Sequence, residues 1–365
     1  MKVIGIPAFV LGLIATFLLV GHYGFGAVSD ALTGIGWTGF LAIVAIHLAI
    51  IALCGLAWFA LVPPPGKPAL WAFVWGRLVR DAGSDVLPFS QIGGFVLGAR
   101  ALTLARLPAR MAAASMVVDV TMEMLSQLAY TGLALGVFAA LRPQSGLAAP
   151  IAEGLAVAGV VGVLLVVAQR RGFPLLMRIT DAVTRQWADF AAAGMTAVQG
   201  AIDEIYRHRG RLVAGSSLHL FTWIASAAEI WFALRLMGVP LDPGPVLAIE
   251  GILYAARGAA FAVPSAVGVQ EGVYVLLGGI FGLGPETALA LSLLKRARDL
   301  SLGLPSLVVW QLIESRRLWR RNPMPAAVLA PKTGTVATVL LSMEDRILGR
   351  REETRRSATG ILDIW

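Results

Sequence analysis

The sequence predicts an all-α integral membrane protein that crosses the bilayer several times. Of its 365 residues, 57% are hydrophobic and 14% are charged, whereas a soluble domain carries about 25% charged residues. Apolar runs cover residues 3–20, 40–62, 151–168 and 301–313, and a membrane-spanning helix needs roughly 20 mostly apolar residues. The chain therefore has too little polar surface to fold in water and enough apolar length to span lipid.

Basic residues flank the apolar runs, and their distribution predicts the orientation of the chain. Lys2 precedes the first run, seven arginines lie within 169–211, and four more lie within 316–321. Arg142 is the single Lys or Arg residue in loops 21–39, 142–150 and 238–245. Since cytoplasmic loops carry an excess of Lys and Arg, we expect both termini and the segments 63–111 and 169–211 to be cytoplasmic.

The same pattern divides the chain into a membrane domain and a tail. Residues 1–321 are predicted to form the transmembrane domain. Within it, 169–211 interleaves apolar residues with Arg, Asp and Glu, which is typical of amphipathic helices on the inner leaflet. Residues 322–365 are proline-rich and then charged, which predicts a mobile cytoplasmic tail.

Two broken segments are predicted to be re-entrant, so that each enters the membrane and returns on the same side. The first covers about 69–105 and starts from the cytoplasm; the second covers about 246–284 and starts from outside. Their breaks read L-P-F-S-Q-I-G-G at 87–94 and V-P-S-A-V-G-V-Q-E-G at 263–272. Similar broken segments of opposite orientation are typical of inverted-repeat transporters, although Gly- and Pro-rich stretches also resemble each other by chance.

A helix break inside the membrane predicts a polar site. Non-helical backbone at that depth is tolerated only where protein buries it or where it lines a wet cavity. The break also leaves backbone N–H and C=O groups without helical partners, and these groups can hold a polar ligand. The alternative is a surface loop between two ordinary spans. The residues predicted to form the breaks are Pro88, Gly93, Gly94, Pro264 and Gly268.

Several ionisable residues lie within the apolar segments. Each costs about 2.5–3.5 kcal/mol on insertion scales, so each is a functional candidate. Asp119, Glu123 and Gln127 are four residues apart and share one helix face. The two carboxylates repel each other, so either one of them keeps its proton or a cation lies between them. The alternative is a purely structural ion pair. Lys295 and Asp299 are also four apart, and we expect them to pair.

Arginines near the second break predict an anion site. The planar guanidinium group binds phosphate or carboxylate through two parallel hydrogen bonds, and we expect Arg296 and Arg298 to face the break together. Glu229 is expected to be a structural partner for an arginine. The full predicted substrate-binding set is Arg80, Gln91, Asp119, Glu123, Glu250, Arg257, Gln270, Glu271, Arg296 and Arg298.

Other kinds of chemistry have no motif in the sequence. A Walker A lysine motif, an H-E-x-x-H motif, a G-x-S-x-G motif and a Cys/His pair at ligand spacing are all absent. We therefore expect neither an enzyme nor a metal or other cofactor. The net charge of +8 is carried by loops beside apolar runs, which fits a membrane topology and not nucleic-acid binding.

The second broken segment carries a family resemblance. A P-x-x-x-G-x-x-E pattern (Pro264, Gly268, Glu271) precedes a basic patch that includes Lys295 and Arg296, and a G-L-P follows at 303–305. This pattern resembles the lysylphosphatidylglycerol synthase/flippase-like transmembrane family.

The first broken segment extends the resemblance. The stretch 87–100 is similar to the family's N-terminal Pro–Gly–Gly element. Together with G-R-L-V-R-D at 76–81, it resembles in particular the hopanoid-biosynthesis-associated members. The resemblance covers roughly residues 40–315.

The resemblance implies a helical fold in a bacterial inner membrane, with two re-entrant elements and lipid handling. Some members move lipid between leaflets. By position, the family's second element corresponds to Pro264, Gly268, Glu271 and Arg296. Its first element corresponds to Pro88, Gly93 and Gly94. Bifunctional members add a soluble aminoacyltransferase domain; the segment after Asn322 is too short for one, so we expect no lipid aminoacylation.

Three functions remain open from the sequence. The first is a flippase-like transporter that moves an amphipathic lipid, hopanoid-related by the subgroup resemblance, between or within leaflets. The second is a non-catalytic membrane partner of a lipid (hopanoid) biosynthesis complex. The third is a membrane-embedded lipid-modifying enzyme with Asp119 and Glu123 as acid and base. The expected partners are a membrane lipid and the bilayer, with a homo-oligomer or lipid-biosynthesis proteins also compatible.

Overall fold

The structure is a computed structural model that describes residues 26, 33–86, 91–146, 148–169, 188–260, 263 and 266–321. The chain divides into a large unit, Met1–Trp310, and a small one, Gln311–Trp365. The described residues form ten α-helices and no β-strand, which confirms the all-α fold class. The predicted span at 3–20 and the tail after Arg321 lie outside the described residues.

The helices account for most of the described chain. In order they are α1 (Gly36–Leu61), α2 (Leu70–Val86), α3 (Gln91–Leu104), α4 (Ala109–Leu141), α5 (Ala148–Val167), α6 (Ala188–Arg207), α7 (Arg209–Leu236), α8 (Pro243–Ala259), α9 (Val269–Ile280) and α10 (Pro285–Arg321). Among the described helices, α1, α4 and α7 are long and apolar enough to cross a membrane by themselves. This confirms a multi-pass membrane protein.

The order of long and short helices repeats along the chain. A long helix, two short helices separated by a break, and a second long helix occur as α1–α4 and again as α7–α10. Helix α2 packs against α1 and α3, and α8 packs against α7 and α9. The predicted broken segments therefore correspond to α2–α3 and α8–α9. Their re-entrant course through a bilayer stays a prediction.

The first break differs from its prediction in the position of its glycines. Gly93 and Gly94 belong to the first turn of α3 and not to the break itself. A Cβ atom on Gly94 would lie 2.4 Å from the Arg80 carbonyl oxygen and 2.2 Å from Ser84 Oγ. Gly94 therefore permits the close approach of α3 to α2. Pro88 and the break at 87–90 lie outside the described residues.

The second break ends at a glycine that begins α9. Gly268 has φ 82°, a left-handed conformation that costs glycine little and other residues more. Its N–H donates to the Glu271 carboxylate at 2.8 Å, and this bond satisfies one of the free donors at the start of the helix. Pro264 lies outside the described residues. Helix α9 therefore begins directly after Gly268, and the Glu271 side chain caps its first turn.

Apolar packing surrounds the polar interior of the large unit. Trp58 is fully buried against Phe73, and its indole N–H donates to Ser115 Oγ at 3.1 Å. Helix α6 is amphipathic as predicted, and it buries Ile202 and Ile205 in the cluster that contains α4 residues. Residues 170–187 of the predicted amphipathic loop lie outside the described part of the chain.

The course of the two broken segments can be tested by labelling from each side of the membrane. After Cys54 is replaced by alanine, single cysteines are placed at Ala69 and Arg106, which flank α2–α3, and at Asp242 and Gly284, which flank α8–α9. We expect the first two to react from the cytoplasm and the last two from outside. Opposite labelling within either pair would show that this segment spans the membrane.

The close approach of α2 and α3 predicts different effects for two glycine substitutions. Gly94→Ala should lower the thermal unfolding temperature, because overpacking typically costs about 1–3 kcal/mol. The matched control is Gly136→Ala in α4, where an added Cβ meets no atom within 4 Å, so no loss of stability is expected. Equal unfolding temperatures for the two variants in detergent would contradict the proposed contact.

Candidate functional site

Among the described residues of the large unit, many of the charged and polar side chains lie in three clusters. The first cluster comprises Arg77, Arg80, Asp81, Asp119, Glu123 and His219. The second comprises Glu250, Arg257, Gln270, Glu271, Tyr274, Ser292, Lys295 and Arg296. The third comprises His47, Glu229, Arg298 and Asp299. Each draws its members from at least three helices, so residues far apart in sequence share one environment.

Two arginines on α2 neutralise the carboxylates of the first cluster. Arg80 donates to Asp119 Oδ2 at 2.9 Å and to Glu123 Oε2 at 2.5 Å. Arg77 donates to Glu123 Oε1 and to Asp81 Oδ2, each at 2.7 Å. Arg80 therefore lies between Asp119 and Glu123 and supplies a cation to both carboxylates.

The first cluster also contains His219, which the sequence did not single out. Its Nε2 lies 3.0 Å from Asp119 Oδ1, and both side chains are fully buried. Its Nδ1 has no hydrogen-bond partner within the described residues. His219 and Asp119 are 100 residues apart, so no local spacing could have revealed this contact.

A buried lysine, Lys295, bonds to two other members of the second cluster. Lys295 Nζ donates to Glu250 Oε2 and to the Tyr274 hydroxyl, each at 2.8 Å, and the Tyr274 hydroxyl in turn donates to Glu250. The expected pairing of Lys295 with Asp299 is wrong. Although one helical turn separates these two residues, Lys295 points toward α8, whereas Asp299 accepts from Arg298.

Glu271 joins the second break to the long helix that follows it. Its carboxylate accepts two hydrogen bonds from Arg296, one from Nε at 2.7 Å and one from Nη2 at 3.1 Å. It also accepts from Ser292 at 2.9 Å and from the Gly268 N–H at 2.8 Å. The Glu271 side chain is fully buried, whereas that of Arg296 is 21% exposed. Arg296 is therefore the outward-facing part of this site.

Gln270 links Arg257 to the same site. It accepts from Arg257 at 3.3 Å and donates to Ser292 Oγ at 2.8 Å. The guanidinium of Arg257 lies 5.9 Å from the ring centroid of Tyr254. Arg257, Gln270, Glu271 and Arg296, which the sequence predicted as site residues, thus lie together around the second break.

An aromatic group lies between α4, α7 and α8. The rings of Trp223 and Tyr254 are 4.6 Å apart, and Tyr130 stacks beside Trp223 with centroids 6.4 Å apart. Gln127 donates to the Tyr254 carbonyl at 2.9 Å. On the polar face of α4, Gln127 therefore bonds to α8, whereas Asp119 and Glu123 belong to the first cluster.

The third cluster contains Arg298, which the sequence placed beside Arg296. Arg298 donates to Glu229 and, through two nitrogens, to Asp299 Oδ1 at 2.7 and 3.0 Å. Residues two apart on a helix point about 200° apart, so Arg296 and Arg298 face different neighbours. The expectation that both face the break is wrong, and the expected arginine partner of Glu229 is Arg298.

The two helical repeats carry reversed charges at matching positions. Arg77 is the eighth residue of α2 and Glu250 the eighth of α8. Asp119 is the eleventh residue of α4 and Lys295 the eleventh of α10. The charges at these two matching positions are therefore exchanged between the repeats.

The predicted site residues therefore lie in three places instead of one. Arg80, Asp119 and Glu123 lie in the first cluster, and the side chain of Gln91 lies outside the described residues. Sequence reasoning missed Arg77, although it lies three residues before Arg80 and so on the same helix face. It also missed His47, Tyr274 and Ser292, whose partners are distant in sequence. No group of three His, Cys, Asp or Glu residues in the described ranges could hold a metal ion.

The buried Lys295–Glu250 pair can be tested by a double-mutant cycle. Lys295→Met should cost about 3–5 kcal/mol, because it leaves a buried carboxylate without its cation. Adding Glu250→Gln should recover part of the loss, since the uncompensated charge is removed. The measurement is thermal unfolding in detergent. Additive effects of the two substitutions would contradict a direct interaction between the side chains.

Comparison with known proteins agrees with a helical membrane protein. No curated protein and no solved structure gives a significant match to the chain. The family described as "Lysylphosphatidylglycerol synthase TM region" matches residues 5–305, which include all three clusters and both broken segments. The chain is therefore a multi-pass, lipid-related membrane protein, and it belongs to the lysylphosphatidylglycerol synthase transmembrane-region family.

Proposed function

We propose that this protein moves an amphipathic lipid between or within the leaflets of a bacterial inner membrane, with both termini in the cytoplasm. The observation that carries the proposal is the Arg296–Glu271 pair at the second break. It combines a buried carboxylate, a partly exposed guanidinium and a helix start in one place. A polar head group needs such a site to leave water, and the family context supports a lipid as the ligand.

Arg296 can bind an anionic head group by changing partner. A phosphate or carboxylate competes with Glu271 for the guanidinium fork, since both bind it through two hydrogen bonds. When Arg296 turns to the lipid, Glu271 keeps its bonds to the Gly268 N–H and to Ser292. The buried carboxylate therefore retains two donors during the exchange, which lowers the cost of releasing the arginine.

The lipid tail has a separate and simpler requirement. Large apolar side chains are exposed along α5, among them Val157, Val160 and Leu164, and such faces suit contact with lipid chains. A lipid whose tail stays in the bilayer requires only its head group to be desolvated. The half-buried rings of Trp223 and Tyr254 lie near the head-group site, which suits a ring-containing lipid. The proposal of a hopanoid-related lipid rests on these aromatic rings and on the subgroup resemblance.

The contacts of the first cluster favour a transporter over an enzyme that uses Asp119 and Glu123 as acid and base. An acid–base pair needs a carboxylate that can exchange a proton with its substrate. Asp119 and Glu123 instead accept charged hydrogen bonds from Arg80 and Arg77. We therefore propose that the protein is not an enzyme. Direct lipid contact at Arg80, Asp119 and Glu123 stays a prediction.

Lipid exchange in reconstituted liposomes tests the head-group site. Arg296→Gln should slow leaflet exchange of a labelled anionic lipid roughly tenfold, because a charged hydrogen bond of about 1.5–3 kcal/mol is lost. Arg296→Lys should have an intermediate rate, since it keeps the charge but loses the fork. The matched control is Arg235→Gln at the end of α7, an exposed arginine that contacts the Trp231 ring.

Each outcome of the exchange assay has a distinct meaning. If Arg296→Gln protein elutes as a single species and still exchanges lipid at the wild-type rate, the head-group site is wrong. If wild-type protein matches empty liposomes for every lipid tested, lipid movement itself is wrong. That second result would favour a non-catalytic partner of a lipid-biosynthesis complex.

A further inference from the structure

A small recess that the lipid site does not use lies beside the third cluster. The recess has a volume of about 20 Å³ and is lined by His47 on α1, Asp81 on α2 and Asp299 on α10, together with apolar side chains. This volume suffices for one water molecule, which needs two to four polar partners. The side chains of His47 and Asp299 are each 20% exposed, and that of Asp81 is 26% exposed. The recess can therefore hold one water molecule beside a histidine and two carboxylates.

Carboxylates face both nitrogens of His47. Nδ1 lies 3.0 Å from Glu229 Oε2, and Nε2 lies 3.8 Å from Asp299 Oδ1. A neutral imidazole has one N–H donor and one acceptor nitrogen, so a lone pair would point at one of the two carboxylates. The imidazolium form donates from both nitrogens. The geometry around His47 is thus complementary to its protonated form.

The charges around His47 come from three neighbouring helices. Glu229 lies on α7, Arg298 and Asp299 lie on α10, and Asp81 on α2 is held by Arg77. Arg298 contacts both Glu229 and Asp299, and Arg257 acts on Asp299 from a longer distance. Two carboxylates and one arginine in direct contact leave one negative charge, which an imidazolium at His47 balances.

We propose that this recess is a proton-binding site, in which His47 takes up one proton between Glu229 and Asp299, and that this proton is the ion coupled to lipid movement. Proton binding stands on the recess alone, whereas the coupling rests on the proposed function. Histidine is suited to this role because its charge ordinarily changes between pH 5 and 8. Asp119 and Glu123 are less suited, since arginines already bind both carboxylates.

The site is placed to connect proton binding with the head-group site. Arg298 and Asp299 lie on α10, within one turn of Arg296. Protonated His47 attracts Glu229 and Asp299 and so draws α1, α7 and α10 together. After the proton leaves, a lone pair faces a carboxylate and this attraction is lost. The position of α10, and with it the reach of Arg296, then depends on the proton.

Histidine NMR of the protein in lipid nanodiscs tests proton binding directly. The chain has four histidines, so single substitutions can assign the side-chain nitrogen signals. We expect the His47 signals to change from the neutral to the imidazolium pattern as the pH is lowered over the range in which the protein stays folded. His208→Gln is the control, because the side chain of His208 is exposed and bonds to the local Glu204 carbonyl. His47 signals that keep one protonation state throughout this range would overturn the proposal.

Lipid exchange under an imposed pH gradient tests the coupling separately. Reversing the gradient should change the wild-type exchange rate by about fivefold or more, as for a typical coupling between two sites. His47→Gln should lose this response, and His208→Gln should keep it. Wild-type exchange that ignores the gradient would overturn the coupling and leave the proposed function standing. If no lipid is exchanged under any condition, both fail, and the NMR titration still decides proton binding.

Discussion

Every charge buried in a membrane protein needs a partner, and in this chain the partners come from different helices. An isolated ionic group in an apolar medium is too costly to remain charged, so it must be paired or neutralised. Arg80 bonds to two carboxylates on α4, Lys295 bonds to Glu250 on α8, and Arg298 bonds to Glu229 on α7. These bonds join helices that lie far apart in the sequence. Apolar packing then fills the space around them.

The three clusters differ in how completely they are closed. The first is closed around Asp119, whose buried carboxylate is approached by donors from Arg80 and His219. The second reaches outward at Arg296, and the third contains a recess beside His47. A closed cluster stabilises the fold, whereas an open one can take a ligand or a proton. This difference is the physical reason for assigning the lipid head group and the proton to the second and third clusters.

Composition and local pattern were sufficient to predict much of the fold. The apolar runs predict long helices, and the Pro- and Gly-rich stretches predict two broken segments, because both signals act within a few residues. Local spacing was also enough for the shared face of Asp119 and Glu123. It failed for Lys295, which has an acidic residue one turn away but bonds to Glu250, 45 residues earlier. It failed likewise for His47 and Glu229, which are 182 residues apart. Pairing across helices depends on packing that no local pattern encodes.

The packing of α8 against α4 has a consequence for assembly during membrane insertion. Helix α4 belongs to the first repeat and α8 to the second, yet Gln127 and Thr131 on α4 donate to carbonyl oxygens of α8. A polar side chain without a partner in an apolar medium costs free energy. The first repeat therefore cannot complete these contacts before the second repeat has been made, so the two halves have to mature together.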